Sequence, residues 1–517
     1  MMKIIKLLLV LLTLAVSLTM LGANTDAANW YVDKDAVGAN NGTSWQDAWT
    51  SFSNIVWGTG GIVAGDTLYI SGGSVSKTYT EKLWIQASGT PENPITIRPG
   101  QDPGHNGIVI IDMGYSGEAI RIGPRSNIVI NGEYNGERHI KLYRGSLGDG
   151  YDALIYATGA NNIKYYYLEL KTAATGIRQN SQTSSSKSEV AYCYIHDIRG
   201  QCAIDFTMGS SQTPAAHGHF KIHHNIIKPV WEKYNGGTSI KGPDGIQATG
   251  SVEFYNNQVI GMDGGMDTGV VVGGQHPDFI QAQNGYWKIY NNDFIDIGDA
   301  AIDFDAFLTH YIKHVHIYNN VFAVQAHTST YPQGIRFYDS SSQDITEMVD
   351  VLIANNTFVD LFDHYPLRLG GGSTPRTMVD VYIQNNLFYN CGISYAIDSP
   401  NSGADQSDWH FDYNLVNAGN SGSDRIQLDG VPYTQAHGVA GAPSFVYYSE
   451  KSASNDYHFR DNTSPGVDAG IDLSPYFNTD KDGVPRPQSS AWDIGAYEFR
   501  ANGSQLSPEP PSNLRIN

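Results

Sequence analysis

One phrase recurs six times between residues 220 and 390: KIHHNII, EFYNNQV, KIYNNDF, HIYNNVF, LIANNTF and YIQNNLF. Aligned on the first turn residue, the copies place His224, Asn256, Asn291, Asn319, Asn355 and Asn385 in one column, spaced 32, 35, 28, 36 and 30 residues apart. A period of this size, carrying one strand-like run and one Asn pair, constrains the chain to a solenoid whose units bury their apolar faces only against their neighbours. Each phrase alternates Ile, Val, Tyr or Phe with polar residues, and no helical pattern fits between most copies. Asn tolerates the left-handed backbone conformation and bonds its own local backbone, so the pair suits a sharp corner between strands. Stacked corners predict an Asn ladder with side chains bonded along the stack. Phe294, Phe322, Phe358 and Phe388 share one register after the pair and predict a stacked aromatic column inside. The fold class expected is all-β, a single-stranded parallel β-helix, right-handed as parallel crossovers generally are.

A solenoid grows along one axis, so 517 residues need no division into separate cores. One domain is expected over 29–500, with 29–64 as an N-terminal cap, 440–500 as a closing segment and 501–517 as a Pro/Ser-rich tail. Trp45, Trp49, Phe52 and Ile55 fall at roughly helical spacing and predict an amphipathic helix across the open apolar end. At the start, Lys3 and Lys6 precede an apolar run from Leu7 to Leu21 and then small residues, the pattern of a signal peptide (1–28) cut between Ala23 and Ala28. Ser17, Thr19 and Gly22 shorten that run below what a membrane anchor needs. The mature chain is therefore expected outside the cytoplasm, secreted or at the cell surface, without a membrane span and as a monomer.

Three cysteines, Cys193, Cys202 and Cys391, are too few for a disulfide framework and are expected in the core. A formal charge of −20 argues against nucleic acid or an anionic membrane as partner. An anionic sugar stays open, because a local column of arginines matters more than the sum.

Such a column is visible upstream of the Asn corners, in EAIRI, TGIRQ, CAIDF, DGIQA, DFIQA, AAIDF, QGIRF, PLRLG and YAIDS. With the Ile or Leu inward, the next residue points outward. The outward column then reads Arg121, Arg178, Asp205, Gln247, Gln281, Asp303, Arg336, Arg368 and Asp398, with a less polar coil near Ile155. Asp and Gln sit centrally and Arg flanks them. Rungs of a sheet stack about 4.8 Å apart, so a linear polymer laid along the axis meets arginine forks at both ends, and such forks pair with carboxylate or sulfate. An ordinary solvated face is the plain alternative.

Asp244 and Asp278 each precede their Gln by three residues and are expected in equivalent places on successive coils, about 5 Å apart. Two such carboxylates share a proton or a cation. Asp263, Asp267 and His276 lie in the segment between them, and Asp303 and Asp305 both face outward in AIDFDAF. The cluster reads three ways: Ca2+ held by Asp244, Asp278, Asp263 and Asp267; a general base with its positioning groups; or the two carboxyl groups of a glycosidase, Asp278 with Asp303 or Asp305. Turn-capping by Pro-Asp-Gly is the structural alternative. NTDKDG, starting at Asn478, has the alternating acids of a calcium loop but Ser489 at its twelfth position, and reads better as a turn. His310, His314 and His316 read as packing residues.

NGTSW (Asn41 to Trp45), GDT (Gly65 to Thr67) and GTPENPITI (Gly89 to Ile97) resemble the opening of secreted right-handed parallel β-helix proteins of the pectate-lyase-like group. Asp480 to Phe499 resembles the closing segment of β-helix proteins classed with a choice-of-anchor Q region. The resemblance implies the fold more than the activity, since such helices host lyases, hydrolases, epimerases and adhesins. The function expected is a lyase or related enzyme on an acidic, uronate polysaccharide. Asp205, Asp244, Asp278 and Asp303 would hold cation or substrate, Arg336 or Arg178 would neutralise charge, and Lys241, His276 or Arg336 would serve as base. Gln247, Gln281, Asp305 and Arg368 complete the substrate-binding set. A glycoside hydrolase and a non-catalytic glycan-binding spine are the alternatives.

Overall fold

The computed structural model describes residues 27–114, 117–144, 153–180, 187–207, 218–229, 244–261, 278–298, 300–304, 311–325, 332–337, 347–361, 365–370, 378–392, 395–399, 407–419, 424–428 and 430–501. Three ladders of parallel strands run side by side along one axis. The first face stacks strands from Asn29–Val32 to Trp409–Asp412, the second from Ser76–Tyr79 to Leu415–Asn417, and the third from Leu83–Ile85 to Ile426–Leu428. The chain visits the faces in that order, turns the Asn corner between first and second, and repeats one coil further on. Strands of the first coils alternate buried and outward residues, as Ile95–Pro99 shows, whereas Ala300–Phe304 and Gln333–Phe337 are buried throughout; the inward Ile, Val, Leu and Phe form one continuous core.

The two residues of the Asn corner divide the work. The first takes the left-handed conformation, with φ between 51° and 58° at His224, Asn256, Asn291, Asn319, Asn355 and Asn385. The second makes the ladder. Asn225, Asn257, Asn292, Asn320, Asn356, Asn386 and Asn414 are buried, and each Nδ2 donates to the next Oδ1 at 2.9–3.1 Å. Each side chain also accepts from the backbone N–H one coil earlier and donates to a carbonyl there. Asn320, for example, accepts from Asn292 N and donates to Ile289 O. A buried corner thus leaves few polar atoms unpaired, which is where such atoms would cost most. The ladder ends on Gln435, whose amide both accepts from and donates to Asn414, and begins at Cys193, whose N–H donates to Asn225 Oδ1. Beside it Phe294, Phe322, Phe358 and Phe388 stack at 4.7–4.8 Å within 6° of parallel. All three cysteines are free and buried.

The N-terminal cap departs from expectation. No α-helix occurs among the described residues, and the cap carries one 3-10 turn, Phe52–Asn54. Trp49 instead bridges Val32 in parallel, and its ring stacks on Trp30 at 5.2 Å. The left-handed turn at Asn40 and the carboxylate of Glu81, which takes Phe52 N and Ser51 Oγ, hold this path. Trp49, Phe52 and Ile55 still close the core end, so the apolar spacing marks a lid while the Thr/Ser-rich segment forms no helix.

At the other end, after the antiparallel pair Phe445–Tyr447 and Asp456–Phe459, the closing segment returns along the Asn edge. Phe445, Tyr457, Phe459, Ile494 and Ala496 cover the outward side of the second face at Val321, Val359, Leu387 and Leu415. Leu473, Phe477 and Trp492 cover the first face at Tyr318, Leu352 and Ala354. The side chains of the left-handed Asn column anchor it: Asn319 to Thr479 O, Asn355 to Asp493 O, Asn385 to Ile471 O, all 2.8 Å. Within it NTDKDG is a turn. Asp480 accepts Asp482 N, Val484 N and Glu498 N.

Candidate functional site

With two faces partly covered by the closing segment, the polar column stands on the third. At the column positions its strands stay in register: Trp84 pairs with Arg121, Arg121 with Tyr156, Tyr156 with Arg178, then Asp205, Gln247, Gln281, Asp303, Arg336, Arg368, Asp398 and Gln427 follow. The small residue before the inward Ile has a steric reason. A Cβ on Gly245 would stand 2.3 Å from the Phe279 ring, and one on Gly334 would stand 2.3 Å from Pro366 O. Each strand therefore enters the third face in close contact with the next coil.

The column is less open than the outward alternation implies. Arg178, Asp205, Asp278, Gln281, Asp303, Arg336 and Asp398 are buried, Asp278 completely, whereas Gln247 and Arg368 are half-buried and Arg121 is exposed. The charges are also paired along the stack. Arg178 Nε donates to Asp205 Oδ2 at 2.9 Å, and its Nη2 reaches Thr175 and Gln201. Asp205 Oδ1 takes Thr207 N and Oγ1. Arg368 lies 3.7 Å from Asp398, whose carboxyl burial pushes up against the opposing pull of Arg368 and Gln427. Gln427 and Tyr156 were not singled out in the sequence; both follow an inward Ile, the same local signal that marks their neighbours.

The acid cluster is arranged differently from expectation. Arg336 Nη2 donates to Asp278 Oδ1 at 2.9 Å and to Asp303 Oδ2 at 2.7 Å, bridging two coils. Asp278 thus shares a guanidinium with Asp303, while the Asp244 carboxylate accepts from Gln247. The backbones of the two expected partners do adjoin, Gly245 N donating to Asp278 O at 3.2 Å. Among the described residues no group of three His, Cys, Asp or Glu is placed to hold a metal. Asp263, Asp267, His276, Lys241, Asp305 and His310 lie outside them. Of the calcium ligands anticipated, Asp278 already accepts from a cation, which disfavours a second cation on that oxygen. Elsewhere, on the first face, His314 and His316 both bond Asp350 Oδ2, at 2.6 and 3.1 Å, so these histidines do have a partner. No helix among the described residues is long and apolar enough to cross a membrane.

No protein-family model matches the chain and no curated protein matches it in sequence, so the choice-of-anchor Q resemblance of the closing segment stands without a match. Solved structures do match it. Pectate lyase Pel9A aligns at 13% identity with a TM-score of 0.46, over 92% of this chain and 98% of that one. The PL6 family alginate lyase AlyGC aligns at 16% identity and a TM-score of 0.42, over 78% and 56%. A rhamnogalacturonan lyase aligns at 13% and 0.44, over 82% and 92%. The three neighbours are polysaccharide lyases. The parallel β-helix architecture of this chain stands on its own strand ladders.

Proposed function

We propose that the protein is an exported, polysaccharide-active β-helix whose third face takes an acidic, uronate glycan along the axis, with β-elimination as its reaction. The observation that carries the reading is the unbroken register of one Arg/Asp/Gln column, with Arg178 and Arg336 on either side of Gln247 and Gln281. In β-elimination a base removes the proton on the carbon next to the uronate carboxylate. The electron pair forms the new C=C bond, and the glycosidic C–O bond breaks, its oxygen leaving with a proton. The C–H proton beside the carboxylate is acidic enough only when the carboxylate is neutralised, a task that suits arginine forks. Arg336, held between Asp278 and Asp303, is a fixed cation in this scheme. Two carboxylates at one guanidinium leave it no role as base. The base falls to Lys241 or His276, and a calcium ion held by Asp244, Asp263 and Asp267 would add to the neutralisation of the carboxylate.

Glycoside hydrolysis by Asp278 with Asp303 is the weaker alternative. A glycosidase needs one of its carboxyls as a proton donor, whereas both here accept charge-assisted hydrogen bonds from Arg336. A glycan-binding spine without catalysis is the second reading, favoured by the burial of Asp278 and Asp303. Incubation with pectate, alginate, a glycosaminoglycan and a neutral glycan, with and without chelator, separates the three. Unsaturated products support the lyase, and their loss with chelator assigns a bound cation to it. New reducing ends without unsaturation support hydrolysis, and binding without product supports the spine. Asp278→Asn is expected to fold and to lose activity by orders of magnitude; retained activity overturns the site.

A further inference from the structure

The polar column continues past Arg178 toward the N-terminal end, and there its chemistry changes. Tyr156, Arg121 and Trp84 occupy the next three rungs in strict register. Trp84 is 49% exposed although its neighbours Leu83 and Ile85 are fully buried. The strand alternation therefore aims the indole at water by design of the sequence, and tryptophan exposed on a regular sheet loses the gain of burial. The Arg121 guanidinium lies 5.8 Å from the Trp84 ring centre and 5.8 Å from the Tyr156 ring centre, between the two. Glu118 fixes it from the side at 3.1 Å and is itself held by Lys82 at 2.9 Å. The result is an open strip of aromatic, cation, aromatic, continuous with the buried Arg178–Asp205 pair.

We propose that this strip is a binding subsite for the uronate chain, the entry end of the third-face column. The ring faces of Trp84 and Tyr156 take the apolar C–H faces of pyranose rings, and Arg121 takes a carboxylate. The occupant is an anionic glycan because the strip presents a cation between its rings and runs in line with further arginines. The inference rests on the acidic-glycan reading above and adds the place where the chain is first held. Trp84 and Arg336 are eight rungs apart, roughly 38 Å at sheet spacing, so one molecule engages both only if it is a polymer.

The test is electrophoretic retardation of the full mature chain in gels containing polygalacturonate, alginate or, as neutral control, dextran. The wild type is retarded by a uronate polymer and not by dextran. Trp84→Ala and Arg121→Gln each weaken that retardation roughly tenfold, as expected for loss of one stacked or charge-assisted contact. Tyr447→Ala, which removes a 50% exposed aromatic of the closing segment, leaves it unchanged. Retardation and product formation that persist in both strip variants overturn the subsite while the proposed function stands. A wild type that neither binds nor degrades any uronate polymer overturns both. Loss of a wild-type dimer in sedimentation of Trp84→Ala, with retardation intact, assigns the strip to a second copy and also overturns it.

Discussion

Arg486 in the closing segment reaches Asn319 of the coil, Nη2 donating to Oδ1 at 3.1 Å across 167 residues of chain. The same guanidinium donates to Glu498 at 2.6 Å and to the carbonyls of Asp493 and Gly495, and its side chain is fully buried. Removing one member of a buried ion pair leaves the other charge without its partner, at about 3–5 kcal/mol. Arg486→Met is therefore expected to lower the melting temperature by several degrees. Limited proteolysis should then cut first within 466–499. An unchanged digestion pattern in the variant counts against the closing segment as a docked unit.

The Asn corner gives a contrast between adjacent positions. Asn292 accepts from Asn257 N and Nδ2 and donates to Phe254 O, Tyr290 O and Asn320. Asn292→Ala leaves several buried backbone groups unpaired, each costing about 1–3 kcal/mol. Asn291, at φ 57°, has a buried Oδ1 with no partner among the described residues. Asn291→Gly keeps the left-handed conformation and is expected to stay within about 1 kcal/mol of wild type. Urea denaturation of the two variants measures the difference; equal losses overturn the division of labour.

The repeat was legible because stacking makes each corner solve the same problem. Equal phrases placed the Phe294 to Phe388 stack and the third-face register at the right residues. Two things left no local trace. Asn319, Asn355 and Asn385 meet a segment 86 to 160 residues away, which no periodicity announces. Pairing along the column was hidden as well, since one residue per coil shows only that Arg178 and Asp205 adjoin, and Arg336 reaches across two rungs. The helix expected near Trp49 failed because its apolar spacing serves a bridge to Val32. Trp84 was readable after all: KLWIQ has the inward-outward-inward pattern of EAIRI.

Arg336→Met leaves Asp278 and Asp303 facing each other without the guanidinium they share. The expected loss is about 3–5 kcal/mol. Adding Asp278→Asn to Arg336→Met removes one of the two like charges and is expected to restore part of that stability. Denaturation of the single and double variants reads the coupling between the sites. Additive losses disprove the shared bridge.

The closing segment also carries a pH dependence of defined sign. Burial works against a charge on His458, but hydrogen bonds to Asp456 at 2.6 Å and Asp482 at 2.9 Å raise it to about 9. A group raised in the folded state contributes stability that is fully present below its ordinary value of 6.5 and is lost as pH rises through 9. Asp493, raised to about 7 by burial and by Glu498, acts in the same direction at lower pH, since ionising it costs more in the folded chain. Melting temperature is therefore expected to fall between pH 6.5 and 9. His458→Gln is less stable at the acidic end of this window, because it lacks the charge that Asp456 and Asp482 bind, and its curve is flatter across it. A variant that keeps the wild-type slope shows that His458 is not the group responsible.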